Sequence, residues 1–268
     1  MKRIFETKVP ASFYSTKNAA LYLGDSFEIL ASMKPESVDL VFADPPYFLS
    51  TGGVTCQGGK MVSVDKGDWD QFVSFEQKVE FNRKWINLCK RILKPSGTLW
   101  ISGTLHNIYI IGSILEEEGF KIINNITWQK KNPPPNLACK CFTHSTETVI
   151  WATIDNGVPY YFNYKLMKEQ NEGKQMKDVW AGGLTPPREK VFGKHPTQKP
   201  LYLLERIIDA ASQPGDLIVD PFTGSSTTGV AALSRGRMFV GIDNNQAFLE
   251  ISKNRLIPFE ERSVQTAV

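Results

Sequence analysis

Residues 38–47 read VDLVFADPPY, an apolar run followed by an acidic, proline-rich and aromatic tetrapeptide. The apolar run has the length and composition of a buried strand. Because the two prolines fix φ and lack an N–H donor, a helix cannot begin directly after that strand. We therefore expect Asp44 and nearby backbone carbonyls to point outward at the strand's end, beside the ring of Tyr47.

This tetrapeptide carries the groups that would hold an exocyclic amine on a flat ring. The Asp44 carboxylate and the free carbonyls can accept the two amine hydrogens, while Tyr47 stacks on the ring. The alternative is a proline turn after a strand, with Asp44 as a capping residue. The tetrapeptide alone leaves both interpretations open, and a second motif favours the first.

The second motif begins with a short apolar strand at residues 216–220. Residues 221–229 then read PFTGSSTTG and lead into the helical run VAAL. Small residues and the free N–H groups of a helix N-terminus let a ligand approach the backbone closely. The absence of a lysine before the Ser/Thr residues argues against a phosphate-binding P-loop. A dinucleotide-binding turn stays open, because Gly224 and Gly229 are five residues apart.

Another apolar run, at residues 238–243, ends in Asp243, 23 residues after Asp220. In Rossmann-like folds an acid at this place receives ribose hydroxyls. The strand-turn-helix-strand unit therefore predicts a cofactor that contains a nucleoside.

Together, these motifs resemble the amino-methylating DNA methyltransferases that use S-adenosylmethionine. The catalytic motif precedes the cofactor motif, which is the arrangement of the family's β class. Further matches are Gly24-Asp25 and residues 97–103, 126–133 and 195–200, the last of which read HPTQKP. Within the family Asp-Pro-Pro-Tyr is more typical of adenine-N6 enzymes. Residues 48–70 and 193–200 are similar to the smaller GATC-directed adenine methyltransferases that accompany Dpn-type restriction endonucleases.

The resemblance implies direct transfer of a methyl group from the sulfonium to N6 of a flipped-out adenine, without a metal. The implied catalytic residues are Asp44, Pro45, Pro46 and Tyr47. The implied cofactor contacts are Asp25, Lys199, Asp220, Phe222, Gly224, Ser225, Ser226, Thr227 and Asp243. The family's turn usually reads Gly-Ser-Gly-Thr-Thr, and Ser226 stands in the second glycine's place, where its Cβ could narrow the cofactor's approach.

The composition predicts one α/β domain over residues 1–268. The chain is 41% hydrophobic and 22% charged, which excludes disorder. Four cysteines lack zinc-ligand spacing, and no apolar run is long enough to span a membrane. We therefore expect reduced thiols, no membrane association and a cytoplasmic location.

Basic residues concentrate in the middle of the chain. Residues 121–206 carry 13 Lys and Arg against 7 Asp and Glu, a net charge of +6, whereas the whole chain has +3. Part of this region, residues 153–194, has weak periodicity and resembles an insertion for target recognition. An ordinary solvated loop is the alternative. The candidate DNA contacts are Lys130, Lys131, Lys174, Lys177, Arg188, Lys194 and His195.

Apolar periodicity predicts strands alternating with helices. The predicted strands are 20–23, 38–43, 98–102, 121–129, 145–152, 217–220 and 238–242. The predicted helices are 75–92, 106–118, 200–212, 226–235 and 246–256. This order indicates a Rossmann-like, doubly wound and mostly parallel sheet, the class I methyltransferase fold, with ligands at the carboxyl ends of the strands.

Other interpretations are compatible with the same residues. The amine pocket also fits a cytosine-N4 or an RNA amino-methyltransferase, and a catalytically silent DNA-binding module is a third possibility. The glycine-rich residues 52–59 could form a lid over the base. By resemblance, a homodimer and a functional link to a restriction endonuclease are also expected.

Overall fold

The computed structural model of the protein describes residues 4–6, 10–48, 54–57, 60–63 and 74–260, the third and fourth segments in their backbone only. The strands are β1 Tyr14–Ser15, β2 Ala19–Leu23, β3 Val38–Ala43, β4 Val54–Gln57, β5 Lys60–Ser63, β6 Leu93–Gly103, β7 Phe120–Lys130, β8 Thr146–Ile154, β9 Val179–Gly182, β10 Leu217–Asp220 and β11 Met238–Asp243. The helices are α1 Ser26–Ser32, α2 Phe75–Ile92, α3 Ile108–Glu117, α4 Tyr164–Gln170, α5 Leu201–Ala211, α6 Thr227–Ser234 and α7 Gln246–Leu256.

Nine strands form one sheet in the order β1-β2-β11-β10-β3-β6-β8-β7-β9. The neighbours from β2 through β6 in this order are all parallel, and β9 is parallel to β7. Only β1 and β8 run antiparallel to the strands beside them. The predicted α/β fold with a mostly parallel sheet is confirmed. Strands β4 and β5 form a separate antiparallel hairpin.

Helices cover both faces of the sheet, which explains why its central strands are apolar throughout. Buried side chains of α1, α2 and α3 pack on one face, and those of α5, α6 and α7 pack on the other. In β3 every residue except Asp39 is buried. A continuous apolar run is the pattern expected of a parallel strand buried on both sides.

The strands β3, β10 and β11 are neighbours and end at the same edge of the sheet. We call this the carboxyl edge; β6, β7 and β9 end there too, and β8 begins there. Asp44, Asp220 and Asp243 therefore come together although they are far apart in sequence. Among the described residues, no helix is long and apolar enough to cross a membrane.

Several short elements carry too few buried residues to produce a periodic signal. Helix α4 buries one side chain, Met167, and β9 buries one, Trp180. Both lie within residues 153–194, where the sequence showed weak periodicity, and β9 extends the central sheet. Helix α1 has seven residues and begins at Ser26; the Asp25 carboxylate before it caps the helix by accepting from the Phe27 amide at 2.6 Å.

Candidate active site

The Asp44 carboxylate lies directly after β3, and both of its oxygens are engaged. The Tyr47 hydroxyl donates to Oδ1 at 2.5 Å, and the Lys199 ammonium donates to Oδ2 at 2.7 Å. Lys199 also donates to the Tyr47 hydroxyl at 3.1 Å and lies over its ring, 5.5 Å from the centroid. The carboxylate is thus fixed in orientation, and each oxygen keeps a second lone pair for an incoming donor.

Asp44 begins a buried chain of alternating charges. Lys199 is 3.4 Å from Glu147, and Glu147 is 2.7 Å from Lys130. Burial alone would raise the pKa of Glu147, but Lys199 and Lys130 hold that pKa below its ordinary value. Burial alone would lower the pKa of Lys199, but Asp44 and Glu147 raise it well above the ordinary value. The chain thus places two carboxylates beside two ammonium groups.

A cleft at the carboxyl edge joins the two sequence motifs. Its wall contains the whole tetrapeptide of residues 44–47 and four of the implied cofactor contacts, namely Asp25, Phe222, Gly224 and Asp243. Three phenylalanines that line it form a continuous aromatic surface: Phe27 and Phe81 have centroids 5.3 Å apart, and Phe81 and Phe222 6.2 Å apart. The arrangement offers an apolar face next to three carboxylates, those of Asp25, Asp44 and Asp243.

The turn after β10 has a conformation that its glycine permits. Gly224 has φ of +50°, and a Cβ there would meet His195 Nε2 at 2.9 Å. The Gly224 amide donates to Asp243 Oδ2 at 2.9 Å, and the Asn245 amide donates to Oδ1 at 2.8 Å. These bonds hold the Asp243 carboxylate at the cleft, where burial raises its pKa to about 6.

The remaining residues of the turn lie behind the cleft and shape it. Asp220 is buried and accepts from the Phe222 amide at 3.1 Å and the Thr228 hydroxyl at 2.6 Å. Burial raises the pKa of Asp220 to about 7. Ser225 and Thr227 are held by Arg255 of α7, whose guanidinium donates to the Ser225 carbonyl at 2.6 Å and to both hydroxyls at 3.0 Å. These contacts position the turn and are not themselves on the cleft wall.

The backbone conformation at Ser226 explains why glycine is usual at this position in the family. Ser226 has φ of +54° and ψ of +43°, a left-handed conformation that glycine adopts without strain. Its side chain is fully buried, lies 2.9 Å from the Thr223 hydroxyl and does not line the cleft. The cost of a side chain here is therefore backbone strain and not a narrower cleft.

Ser226→Gly is expected to change the dissociation constant for S-adenosylmethionine by less than about twofold. The lost hydrogen bond, about 1 kcal/mol, and the relieved strain, about 1–3 kcal/mol, oppose each other in stability. Isothermal titration and urea unfolding measure the two quantities. A tenfold gain in affinity would mean that the serine Cβ does obstruct the cofactor.

Two of the implied contacts lie elsewhere than the resemblance suggests. The Lys199 ammonium lies 2.7 Å from Asp44, one of the implied catalytic residues, and not on the wall of the cleft. His195 lies against the cofactor turn, edge-on to Phe248 with centroids 4.3 Å apart. Burial, Lys199 and Arg255 lower the pKa of His195 to about 4, so its ring is neutral near pH 7 and is a poor partner for a DNA phosphate.

The candidate DNA contacts separate into three groups. Lys130 is 13% exposed and paired with Glu147, so it belongs to the buried chain of charges. Lys131, Arg188 and Lys194 are exposed and follow β7 or β9 at the carboxyl edge. Lys174 and Lys177 are exposed too, but they precede β9 and lie further from that edge.

The predicted lid over the base falls on the glycine-rich residues 52–59. Residues 52, 53, 58 and 59 lie outside the described residues, and the lid stays a prediction.

Sequence reasoning missed Glu147, Arg255, Phe27 and Phe81. Each is an isolated residue in an ordinary strand or helix, and only the tertiary structure brings it to the site. Asp25 gave a stronger signal, since an acid after a strand and before an apolar helical run is a typical helix cap.

Comparison with known proteins identifies the family. The profile of a family described as "DNA methylase", of N6/N4 type, matches residues 38–254. Type II methyltransferase M2.DpnII of Streptococcus pneumoniae is 62% identical over 245 residues, which cover 91% of this chain and 91% of that protein. The chain belongs to the N6/N4 DNA methylases.

Other DNA methylases agree over most of the chain. Type II methyltransferase M2.MboI of Moraxella bovis is 48% identical over 239 residues, 89% of this chain and 88% of that protein. The M1.HpyAVI complex with S-adenosylmethionine superposes with a TM-score of 0.65 at 28% identity, covering 89% of this chain and 98% of the other. The cytosine-N4-specific PvuII methyltransferase superposes with a TM-score of 0.72, but its 21% identity shows the fold alone.

The methyl donor of this DNA methylase is S-adenosylmethionine, and the cleft fits it. The Asp243 carboxylate on the cleft wall is a candidate acceptor for ribose hydroxyls, and the aromatic surface of Phe27, Phe81 and Phe222 offers apolar contact. The bound donor supplies an electrophilic methyl group.

Affinity for S-adenosylmethionine is expected to fall below pH 6. Asp243 has a pKa of about 6 and, once protonated, loses acceptor strength toward ribose, so binding at pH 5 should be about tenfold weaker than at pH 7. Titration calorimetry between pH 5 and 8 measures this. Asp220 titrates nearby with a pKa of about 7, and the Asp243→Asn variant separates the two groups. An equal decline in that variant would contradict the assignment.

Proposed function

We propose that this DNA methylase transfers the methyl group to N6 of a flipped-out adenine within the sequence GATC. The observation that carries the proposal is the Asp44 carboxylate, which Tyr47 and Lys199 fix at the rim of the same cleft that Asp243 lines. The target amine and the methyl donor can therefore bind in the same cleft.

The proposed role of Asp44 is to accept one hydrogen of the adenine amine, while the Pro45 carbonyl accepts the other. Pro46 cannot donate a backbone hydrogen bond, so it does not compete for these acceptors. The amine is a poor nucleophile because its lone pair is delocalised into the ring. Accepting both hydrogens favours a pyramidal nitrogen and stabilises the positive charge that develops on it during transfer.

Lys199 and Tyr47 are proposed to tune this acceptor. The Lys199 ammonium at 2.7 Å and the Tyr47 hydroxyl at 2.5 Å hold the Asp44 carboxylate in one orientation. Burial raises the pKa of the Tyr47 hydroxyl well above its ordinary value, so the hydroxyl stays a donor to Asp44. The Tyr47 ring lines the cleft, and we assign it as the stacking partner of the flipped base.

The choice of adenine and of GATC rests on sequence. Asp44-Pro45-Pro46-Tyr47 has the form typical of adenine-N6 enzymes, and residues 193–200 are similar to GATC-directed members. The identity of 62% with M2.DpnII supports the same specificity group. Cytosine N4 remains the second candidate, because the pocket would hold any exocyclic amine; the similarity to the cytosine-N4-specific PvuII enzyme is one of fold.

The wider setting also belongs to this proposal. Relatives named Type II methyltransferases support a functional link to a restriction endonuclease, with DNA in the cytoplasm as the substrate. The exposed Lys131, Arg188 and Lys194 at the carboxyl edge support contact with the DNA backbone. A homodimer stays a prediction from the resemblance.

The test is transfer of labelled methyl to a GATC duplex and to a duplex of the same composition with that site scrambled, followed by nucleoside analysis. We expect label in N6-methyladenine from the GATC duplex alone. Equal label in both duplexes would overturn the site, and label in N4-methylcytosine would overturn the base.

A further inference from the structure

We propose that Phe142 is the side chain that enters the DNA duplex and fills the space left by the extruded base. Phe142 is 97% exposed, the largest exposure among the large apolar side chains of the described residues. A phenylalanine exposed to this extent contributes almost nothing to the stability of the free protein. This inference rests on the proposed function and adds a residue to it.

The loop that carries Phe142 starts and ends beside the catalytic carboxylate. Residues 131–145 connect β7 to β8 at the carboxyl edge, and the Lys130 amide closes the loop by donating to the Ser145 carbonyl at 2.8 Å. Lys130 and Glu147, the residues that flank this closure, belong to the charge chain that reaches Asp44 through Lys199. The loop that carries Phe142 is therefore anchored at both ends next to the charge chain that reaches Asp44.

The tip of the loop is held in shape before DNA arrives. The Asn136 amide group donates to the Cys141 carbonyl at 2.7 Å and lies 3.0 Å from the Cys141 sulfur, and its oxygen accepts from the Ala138 amide at 3.1 Å. The three prolines 133–135 restrict the chain that leads to this turn. Phe142 directly follows the turn, so an inserted ring would not need a new loop conformation.

The charge of the two loops near Phe142 favours duplex DNA as the binding partner. Lys131 and Lys140 of the same loop are exposed, as are Arg188 and Lys194 of the loop that follows β9. The two loops form one surface, because Asn132 Oδ1 accepts from the Leu184 amide at 3.1 Å and the Lys131 amide donates to the Gly182 carbonyl at 2.9 Å. Exposed cations on the same two loops as a projecting ring are complementary to phosphates on both sides of an opened base step.

Extruding a base removes its stacking and pairing, which costs a few kcal/mol. An aromatic ring in the vacated space restores stacking with the neighbouring base pairs, as apolar wedges do in proteins that open base steps. The role is specific to the duplex, because a single strand has no paired stack to open. It is a positioning role, since Phe142 would contact the neighbouring base pairs and not the reacting amine.

The test compares wild type with Phe142→Ala, Phe142→Trp and Val158→Ala on three GATC substrates. The substrates are a paired duplex, a duplex with an abasic site opposite the target adenine, and a single strand. Val158 is 41% exposed and follows β8 at the opposite edge of the sheet, so its truncation is a control for loss of exposed apolar surface. Fluorescence of 2-aminopurine at the target position reports extrusion separately from transfer.

We expect Phe142→Ala to lower kcat/KM on the paired duplex by about tenfold to a hundredfold, because one base–aromatic stack is lost. The same variant should lose the 2-aminopurine signal, recover on the abasic duplex and match wild type on the single strand. Phe142→Trp should retain extrusion, and Val158→Ala should match wild type on all substrates.

Equal losses on all three substrates would overturn the proposal in favour of a structural role. An unchanged Phe142→Ala would also overturn it, as would a change in sedimentation showing that Phe142 joins two copies of the chain. Failure of the wild type on every substrate would instead overturn the proposed function, and this inference with it.

Discussion

Asp44→Asn is expected to lower kcat for methyl transfer to a GATC duplex by about 10²–10³-fold or more. The variant keeps the shape of the side chain and removes the negative charge that faces the developing charge on the amine nitrogen, an effect of the size seen when one preorganised electrostatic partner is lost. Binding of S-adenosylmethionine should change by less than about twofold, because Asp243 and the turn after β10 are untouched. Single-turnover transfer and titration calorimetry measure the two quantities.

Asp155→Asn provides the matched control for this change. Asp155 is an exposed carboxylate directly after β8, at the edge of the sheet opposite the cleft. It should retain wild-type kcat. If Asp44→Asn stayed within about tenfold of wild type, Asp44 would be a structural cap and the amine would have another acceptor.

Lys199→Met is expected to destabilise the protein by about 3–5 kcal/mol and to abolish most of its activity. Lys199 is 6% exposed and lies within 4 Å of both Asp44 and Glu147. Its removal leaves two buried carboxylates with Lys130 as the remaining cation of the chain, and uncompensated buried charge is among the largest single causes of instability. Urea unfolding at pH 7 measures the loss.

In the Lys199→Met variant, the pH dependence of the free energy of unfolding should reverse its direction. In wild type the pKa of Glu147 lies below its ordinary value of 4.5, so its contribution to stability is present above that pH and is lost as the pH falls through the native pKa. Without Lys199, burial outweighs the remaining Lys130 and raises the native pKa of Glu147 above its unfolded value, so this carboxylate's contribution to stability should increase as the pH falls.

Lys94→Met is the control for loss of a paired lysine. Lys94 lies 2.6 Å from Asp39, a distance as short as that of the buried pair, but its side chain is 41% exposed. It should cost less than about 1 kcal/mol. The Lys199→Met, Glu147→Gln double variant should recover part of the loss. Equal costs for Lys94→Met and Lys199→Met would show that burial of the charge chain has no energetic role.

The fold was predictable because its main strands are buried on both faces. Strands β3 and β10 are nearly continuous apolar runs. In the long helices α2 and α5, the buried apolar residues recur at helical spacing. The motifs that follow these strands were therefore placed at the right edge. Short elements such as α4 and β9, with one buried residue each, carry no comparable pattern.

The site residues were predictable only where they belong to a motif of consecutive residues. Asp44 and Asp243 were found because each ends an apolar strand. Glu147 and Arg255 act through side-chain contacts with residues distant in sequence, and no local pattern marks them. The position of Lys199 on Asp44 follows from how α5 packs after residue 199, which sequence similarity alone did not resolve.

The pairing of β3 with β10 has a consequence for how the enzyme is made. Asp44 and Asp220 are 176 residues apart, yet Asp44 directly follows β3 and Asp220 ends the neighbouring strand β10. Contacts between such distant segments form late and slow a folding reaction. During synthesis the catalytic tetrapeptide leaves the ribosome long before β10 and β11 exist to complete the cleft. A nascent chain therefore exposes the tetrapeptide before the cofactor cleft has formed. Methylation of DNA can begin only after β10 and β11 have paired into the sheet beside β3.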